Sequence, residues 1–399
     1  MILIKFHYTY FLICYKLFND RLCIARLQVK SILFNMNDKN ISIPVFGFDN
    51  ELTGLIVELE RVREKFDHGT TSAPIFFELK SIFQLATSMT SARIEGNHTT
   101  VVDFVEAIND KTDRGVEVPD AVREITNIQN GVAFIEANIH SMPLNKEFIC
   151  EIHRIVVEGL VREGDERPGA FRTLPVTINK SPHRPLAPSD VDDHMRELVM
   201  FINEKHGSQF DLLKDAIVHH RFTWIHPFTN GNGRVARLLT YAMMAKQGFI
   251  DASGIRALNP TAVFGSNREE YYDHLSRADS LKNDDIIAWA LYMLGGVKAD
   301  LNKVANLLDV TYVREQILFP ALKDALDRKR ITPQEHDMLR VTIRKNVVQA
   351  GDFDSVVKGS QPTRSRAVAR LKELRLIDAM PESPRKYRIR LSNNALTTP

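Results

Sequence analysis

His226-Pro-Phe-Thr-Asn-Gly-Asn-Gly-Arg-Val-Ala-Arg237 decides how the rest of this chain is read. A histidine stands ahead of a turn bracketed by Gly231 and Gly233, and Arg234-Val-Ala-Arg-Leu-Leu-Thr-Tyr-Ala-Met-Met continues as a helix. The start of that helix presents unpaired N–H groups and the positive end of its dipole, so it suits phosphate oxygens. Glycine removes the Cβ that would hold an anion away from the backbone. Arg234 and Arg237 are three positions apart, so they share a face of the first turns and could both reach one polyphosphate. His226 can take a proton near neutral pH. Singly, a His-Pro, a Gly-Asn-Gly or a pair of helical arginines describes a turn or a solvated face; together they describe an anion site beside a base.

The chain has 399 residues, 44% of them hydrophobic and 26% charged, which suits a soluble protein of two or three domains with ample material for a core. A net charge of +2 singles out no partner. Cys14, Cys23 and Cys150 form no metal-ligand spacing and no disulfide framework, which suits a reducing cytoplasm and implies no catalytic cysteine. The first 35 residues are apolar and aromatic, but Lys5, Lys16, Asp20, Arg21 and Arg26 interrupt them too often for a membrane span. No convincing small-residue cleavage site accompanies them, so no membrane partner is expected. Met36 opens a polar Met-Asn-Asp-Lys-Asn stretch that reads as an ordinary start, and residues 1–35 are expected to be a non-native or disordered extension.

At every fixed position, residues 226–237 resemble the signature of the Fic family, His-Pro-Phe-x-(Asp/Asn)-Gly-Asn-Gly-Arg-x-x-Arg. The resemblance implies transfer of AMP from ATP to a Tyr, Thr or Ser hydroxyl of a target protein. His226 would take the hydroxyl proton, and Gly231, Asn232 and Gly233 would hold the phosphates. Arg234 and Arg237 would take the β/γ end, and Asn230 would help bind Mg²⁺. An amide oxygen is a poorer Mg²⁺ ligand than a carboxylate, so the metal contact is the weak point of this chemistry. Relatives that transfer phosphate put lysine where this chain has Gly233, which argues for AMP transfer. Removal of AMP by the same site stays open, as does a DNA-binding regulator whose core only senses nucleotide, although a sensor needs no base.

Around the signature the pattern is helical. Leu52, Leu55, Ile56, Leu59, Val62 and Phe66 mark a helix over about 50–66, and a second runs over about 76–94 and stops at Gly96-Asn97. Its end, Ser91-Ala-Arg-Ile-Glu95-Gly96, resembles the family's inhibitory motif, (Ser/Thr)-x-x-x-Glu-(Gly/Asn). The resemblance implies that Glu95 pairs with Arg237 and obstructs the γ-phosphate; the plain alternative is a solvated carboxylate at a helix end. Further helices are expected over 122–139 and 146–160, where His153 is read as structural, over 189 onward with Ser189 as cap, and over 211–224 with His219 and His220 as packing or surface residues.

Between these helices, Val176-Thr177-Ile178-Asn179 and His183-Arg-Pro185 read as a β-hairpin. It resembles the family's flap, which holds the target segment and borders the nucleotide; an ordinary surface hairpin is the alternative. Asn267-Arg-Glu-Glu-Tyr271-Tyr272 resembles the distal wall of the nucleotide pocket, with Tyr271 near the base, and Asp279 departs from the family's usual asparagine. From about 299 the character changes to helices, a Thr363-capped helix and a basic hairpin, the order of a winged helix. Arg364, Arg366, Arg370, Lys372, Arg385 and Lys386 would suit DNA phosphates, with protein contact or homodimerisation as an equal alternative. The expected fold is mostly α: an N-terminal segment over 36–118 with the inhibitory helix, a catalytic core over 119–298 with a small hairpin flap, and a winged helix-turn-helix domain over 299–399.

Overall fold

The computed structural model describes residues 41–65, 70–71, 73–178, 183–249, 264–265 and 267–390. The expectations for residues 1–35 and for Asn179 lie outside them. None of the described helices is long and apolar enough to cross a membrane.

The fold is mostly helical and is centred on two helices, α7 (Asp211–Ile225) and α8 (Asn232–Lys246), joined by the 226–231 loop. Leu212 through Phe222 and Val235 through Ala245 are buried without a break, so both helices are enclosed on every side. Before them come α1 (Glu51–Lys65), α2 (Ala73–Ile94), α3 (Val101–Arg114), α4 (Asp120–Asn138), α5 (Lys146–Val157) and α6 (Pro188–Asn203). After them come α9 (Arg268–Ala278) and α10 (Asn283–Leu307). α1 buries Leu52, Ile56, Leu59 and Val62 against α10, the one face its 3.6-residue period offers.

The sequence reading passed over α3. Thr100 and Asp103 form a reciprocal capping box at its start, and Gly115 closes it in the left-handed conformation. Its Phe104 packs with Met89 and Ala92 of α2 and with Val122, Ile125 and Ile128 of α4. That satellite cluster fixes the end of α2. Farther back along α2, Glu136 of α4 accepts hydrogen bonds from Gln84 Nε2 and Tyr241 OH, each at 2.8 Å, and lies 3.4 Å from Lys80 Nζ. α2, α4 and α8 are thereby tied together by polar contacts as well as packing.

Several boundaries differ from the sequence reading. Ser189 is not the cap of α6: Pro188, whose ring presets a helical φ, starts the helix one residue earlier with Ala187 as N-cap. Residue 299 falls inside α10 and is no break; the chain turns at Leu308-Asp309, where Thr70 and Thr71 donate to the carbonyls of Leu307 and Leu308. Pro320 stands in the first turn of the next helix, where its missing N–H costs nothing. A π-helical turn, Val313–Leu318, precedes α11 (Phe319–Asp327), and the added residue in that turn accommodates the proline ring.

In the C-terminal region, α12 (Pro333–Lys345) opens on a Thr332/Glu335 capping box. An isolated bridge pairs Val348 with Tyr387, and a 3₁₀ turn spans Ala350–Phe353. α13 (Gln361–Glu373) has Ser360 as N-cap, so Thr363 sits in the first turn and is not the cap. β1 (Ile377–Met380) and β2 (Ser383–Ile389) pair antiparallel, with Ile377 opposite Ile389.

Trp289 of α10 is fully buried, and its Nε1 donates to the Ala216 carbonyl at 2.7 Å, joining α10 to α7. Trp289→Ala should therefore destabilise the helical core by about 3–5 kcal/mol. A fall in the urea midpoint smaller than that of a surface substitution would contradict this packing.

Candidate active site

His226 follows the last residue of α7 and adopts φ 53° and ψ 61°, the left-handed conformation. For a residue with a Cβ this costs about 1–2 kcal/mol, so neighbours must hold it. Its imidazole is half-buried, and Nδ1 lies 3.3 Å from the Thr223 carbonyl. A carbonyl can only accept, so Nδ1 carries the proton and Nε2 keeps its lone pair. Burial pushes the imidazole down to about 4, with Arg172 and His183 acting in the same direction and the Thr223 carbonyl and Glu95 opposing. At neutral pH the ring is an uncharged acceptor.

The loop after His226 is locked from within. Asn232 Oδ1 accepts from Phe228 N at 2.9 Å and Nδ2 donates to the Phe228 carbonyl at 2.9 Å, so this side chain holds the turn and is not free for phosphate. Asn230 Oδ1 accepts from Gly231 N at 2.8 Å, so the expected metal-binding oxygen is engaged by its own loop. Asp165 Oδ2 accepts from Thr229 N and Asn230 N, each at 3.2 Å. His153 stacks on Phe228 with ring centroids 3.7 Å apart; its Nδ1 accepts from Gly169 N at 2.9 Å and its Nε2 donates to the Asn230 carbonyl at 3.2 Å. Burial pushes His153 down to about 4, so it is a neutral brace, as its reading as structural anticipates.

Gly231 has φ 75° and stands as N-cap of α8, and a Cβ there would press on Val157. At Gly233 the obstacle is different: an added Cβ would collide with Glu95 Oε1. The Glu95 carboxylate therefore lies over the N-terminal turn of α8, where an anion would bind. Arg237 Nη2 donates to it at 2.7 Å, while Nε and Nη2 also bind the Ser91 hydroxyl and carbonyl at 2.8 and 3.1 Å. Burial works to raise the Glu95 carboxyl, but Arg237, Arg234 and Arg268 together hold it below its ordinary value. Ser91 belongs to the same short stretch of α2, one helical turn before Glu95. The last turn of α2 and the residue that follows it thus supply a bidentate seat for the guanidinium and the carboxylate. Arg237 Nη1 is buried without a hydrogen-bond partner.

Arg234 does not share that face. It is buried, and it donates to the carbonyls of Val156 at 3.3 Å and Glu163 at 2.7 Å, with the carboxylates of Glu124 and Glu163 at 3.4 and 3.6 Å. Positions i and i+3 are offset by about 60° around a helix, and here the two arginines take different partners: Arg234 turns to Val156, Glu163 and Glu124, and Arg237 to Ser91 and Glu95. In this conformation Arg234 pins the α5 end, while Arg237 is the arginine bound to the Glu95 carboxylate.

Tyr271, expected near a nucleotide base, is part of the core in this structure. It is buried to 1% exposure, and its OH donates to His219 Nε2 at 2.8 Å; His219 Nδ1 donates to Thr240 Oγ1 at 2.8 Å, which in turn donates to the Ala236 carbonyl at 2.9 Å. Burial pushes His219 down to about 3, consistent with a neutral link in this chain. The adjacent Tyr272, 37% exposed, is the tyrosine at the surface, with Arg268 over its ring. Asp279 lies 3.0 Å from His220 Nε2 and 3.4 Å from His183 Nδ1, so both histidines are bound to it.

The expected hairpin has no ladder among the described residues. Val176, Thr177 and Ile178 alternate half-buried, exposed and half-buried in irregular chain without a bridge partner. The arms are joined instead by Arg172, which donates to the carbonyls of Leu174 at 3.3 Å and Leu186 at 2.7 Å. No group of three His, Cys, Asp or Glu side chains suited to a metal ion occurs among the described residues.

Residues 143–244, which contain this site, match the model of the Fic/DOC family. The chain is 28% identical over 166 residues to a protein adenylyltransferase Fic of Nematostella vectensis, covering 39% of this chain and 34% of that protein. It is 27% identical over 229 residues to the protein adenylyltransferase fic-1 of Caenorhabditis elegans, covering 55% and 41%. It therefore spans less than half the length of these curated relatives. A crystal structure of a Fic family protein from Desulfovibrio desulfuricans G20 shares the fold with a TM-score of 0.53 at 20% identity, over 88% of this chain and 99% of that one. A Fic domain containing signaling protein from Bacteroides thetaiotaomicron VPI-5482 gives 0.51 at 18%, over 64% and 96%. The helical core thus shares the fold of these Fic structures, and the segment that the family model matches, residues 143–244, contains its signature loop.

Proposed function

We propose that this chain is a self-inhibited protein adenylyltransferase that moves AMP from ATP to a Tyr, Thr or Ser hydroxyl of another protein. The observation that carries the reading is the Glu95 carboxylate lying over Gly233 with Arg237 bound to it, beside a histidine whose Nε2 is free to accept. A carboxylate mimics the charge of a phosphate oxygen. Its seat at a helix N-terminus against a guanidinium is a seat a triphosphate would otherwise take.

In the reaction, His226 Nε2 accepts the proton of the attacking hydroxyl, whose oxygen bonds to the α-phosphorus. The bond from that phosphorus to the bridging oxygen breaks, and pyrophosphate leaves with Arg237 and the α8 N-terminus stabilising its charge. Tyr272, not Tyr271, is the tyrosine exposed enough to border a nucleotide. Mg²⁺, when bound with ATP, neutralises phosphate charge. Asn230 would be the residue to hold it, once Oδ1 leaves the Gly231 N–H. The carboxylate that excludes ATP could equally position water for AMP removal, and that direction shares the same residues.

The C-terminal order of α12, Val348 bridge, 3₁₀ turn, α13 and hairpin supports a winged helix. We read its partner as DNA, because Lys358 to Lys372 contains five basic residues and no acid, and Arg366, Lys372, Arg375, Arg385 and Lys386 are exposed. On the full chain, a random-sequence duplex should bind at low salt, with affinity falling steeply between about 50 and 200 mM salt, and Arg366→Ala plus Lys386→Ala should reduce that slope by about 2. Absence of binding at low salt would assign this unit to protein contact.

For the enzyme, Glu95→Gly should free Arg237 and raise labelling of protein by α-labelled ATP, including self-modification, by about 10- to 1,000-fold. Adding Arg237→Ala should remove much of the gain, and adding His226→Ala should abolish transfer while leaving ATP binding. Wild-type levels of both labelling and ATP affinity in Glu95→Gly would reduce Glu95 to a bystander.

A further inference from the structure

Nothing in the signature contains the residue that holds the base in place. Arg172 donates from its backbone N to the Pro227 carbonyl at 2.8 Å, from Nε to the His226 carbonyl at 2.7 Å, and from Nη2 to the Ile225 carbonyl at 3.4 Å. One residue thus binds three consecutive carbonyls of the turn in which His226 takes its left-handed conformation. Its remaining hydrogen bonds go to Leu174 and Leu186, on the two arms either side of residues 179–182.

The environment of this guanidinium is unusual. Arg172 is 3% exposed, and no carboxylate forms an ion pair with it among the described residues. A cation removed from water without a counter-charge is expensive, and hydrogen bonds to carbonyl dipoles offset only part of that. Arginine can nevertheless hold five donors in a fixed planar fork, which lysine cannot. We infer that Arg172 is a positioning residue for the proposed AMP transfer, setting the His226 imidazole and both flap arms at a fixed separation so that a target hydroxyl held by the arms meets Nε2.

Its charge has a second consequence. The charged and titratable groups facing His226 are Arg172 and His183 from the arms and Glu95 from the turn after α2, with the Thr223 carbonyl on its own helix. Burial is the main cause of the lowered affinity of His226 for protons, and Arg172 reinforces it, while Glu95 opposes. Arg172 therefore helps keep the base unprotonated.

This inference rests on the AMP-transfer reading, and the test separates the two. On the full chain carrying Glu95→Gly, Arg172→Lys and Arg172→Gln should each lower kcat by about 100-fold. KM for ATP should stay within about threefold, because the α8 N-terminus and Arg237 are untouched. By NMR, the His226 ring, identified by its loss in His226→Gln, should titrate at higher pH in Arg172→Gln than in the parent, but not in Arg172→Lys, which keeps the charge. A kcat within about threefold of the parent, or a loss of ATP affinity in parallel with kcat, would overturn the assignment. Should Arg172→Gln not fold, Arg172→Lys decides by the same kcat and KM comparison; failure of both to fold would make Arg172 a scaffold residue and overturn it as well. The titration needs no turnover. If Glu95→Gly shows no transfer at all, the AMP-transfer reading fails, while an unmoved His226 titration in Arg172→Gln is what would overturn the role of Arg172.

Discussion

The contact on which the rest of this structure depends is a carboxylate seated at the start of a helix. Glu95 approaches Gly233 closely enough to exclude a Cβ there and binds Arg237 at 2.7 Å. The helix dipole, the glycine and the arginine form an anion site, and α2 fills it with an anion belonging to the chain itself. A buried pair of this kind adds little net stability, since desolvating both groups offsets most of their attraction. In the proposed reading its value is exclusion: a nucleotide would have to displace a charge that is already paired. The hydrogen bonds of Glu136 to Gln84 and Tyr241, and the packing of Phe104 on Met89, keep α2 in the register that this seat requires.

Three buried arginines surround the loop, and their partners sort their roles. Arg237 is bound by a carboxylate that another anion could replace, and it keeps Nη1 without a partner. Arg234 is held by Glu124, Glu163 and two carbonyls from the interior, so moving it toward a ligand would leave buried carboxylates uncompensated. Arg172 meets only carbonyls, and these belong to the base-bearing turn and the two arms. The same side chain is thus held in three different ways, by the Glu95 carboxylate, by interior carboxylates and carbonyls, and by carbonyls alone.

Much of this was legible in the sequence. The 226–237 string carried the turn, the glycines and the base; the short run from Ser91 to Gly96 carried the partner of Arg237. Period and breakers located most helices, because a buried face repeating every 3.6 residues survives without tertiary information. What escaped was decided by three-dimensional contacts that leave no local pattern. Nothing in the spacing of Arg234 and Arg237 told which would turn inward, since that depends on Glu124 and Glu163 from distant segments. Tyr271 and Tyr272 are neighbours in sequence, and only the surrounding His219, Phe264 and Trp289 decided that the first is core. Asp165 and Arg172 stand in irregular chain with no periodicity to mark them. α3 was missed although its capping box was present in the sequence, a signal that could have been read.

The central claim is that the Glu95 carboxylate occupies the place of a nucleotide phosphate. A crystal structure of Glu95→Gly with a non-hydrolysable ATP analogue tests it most directly. The account predicts a phosphate oxygen within hydrogen-bond distance of Gly233 N and of the Arg237 guanidinium, where Glu95 Oε1 now lies. A triphosphate bound elsewhere with Arg237 still held only by Ser91, or the same pose in the unaltered protein with Glu95 undisplaced, would contradict it.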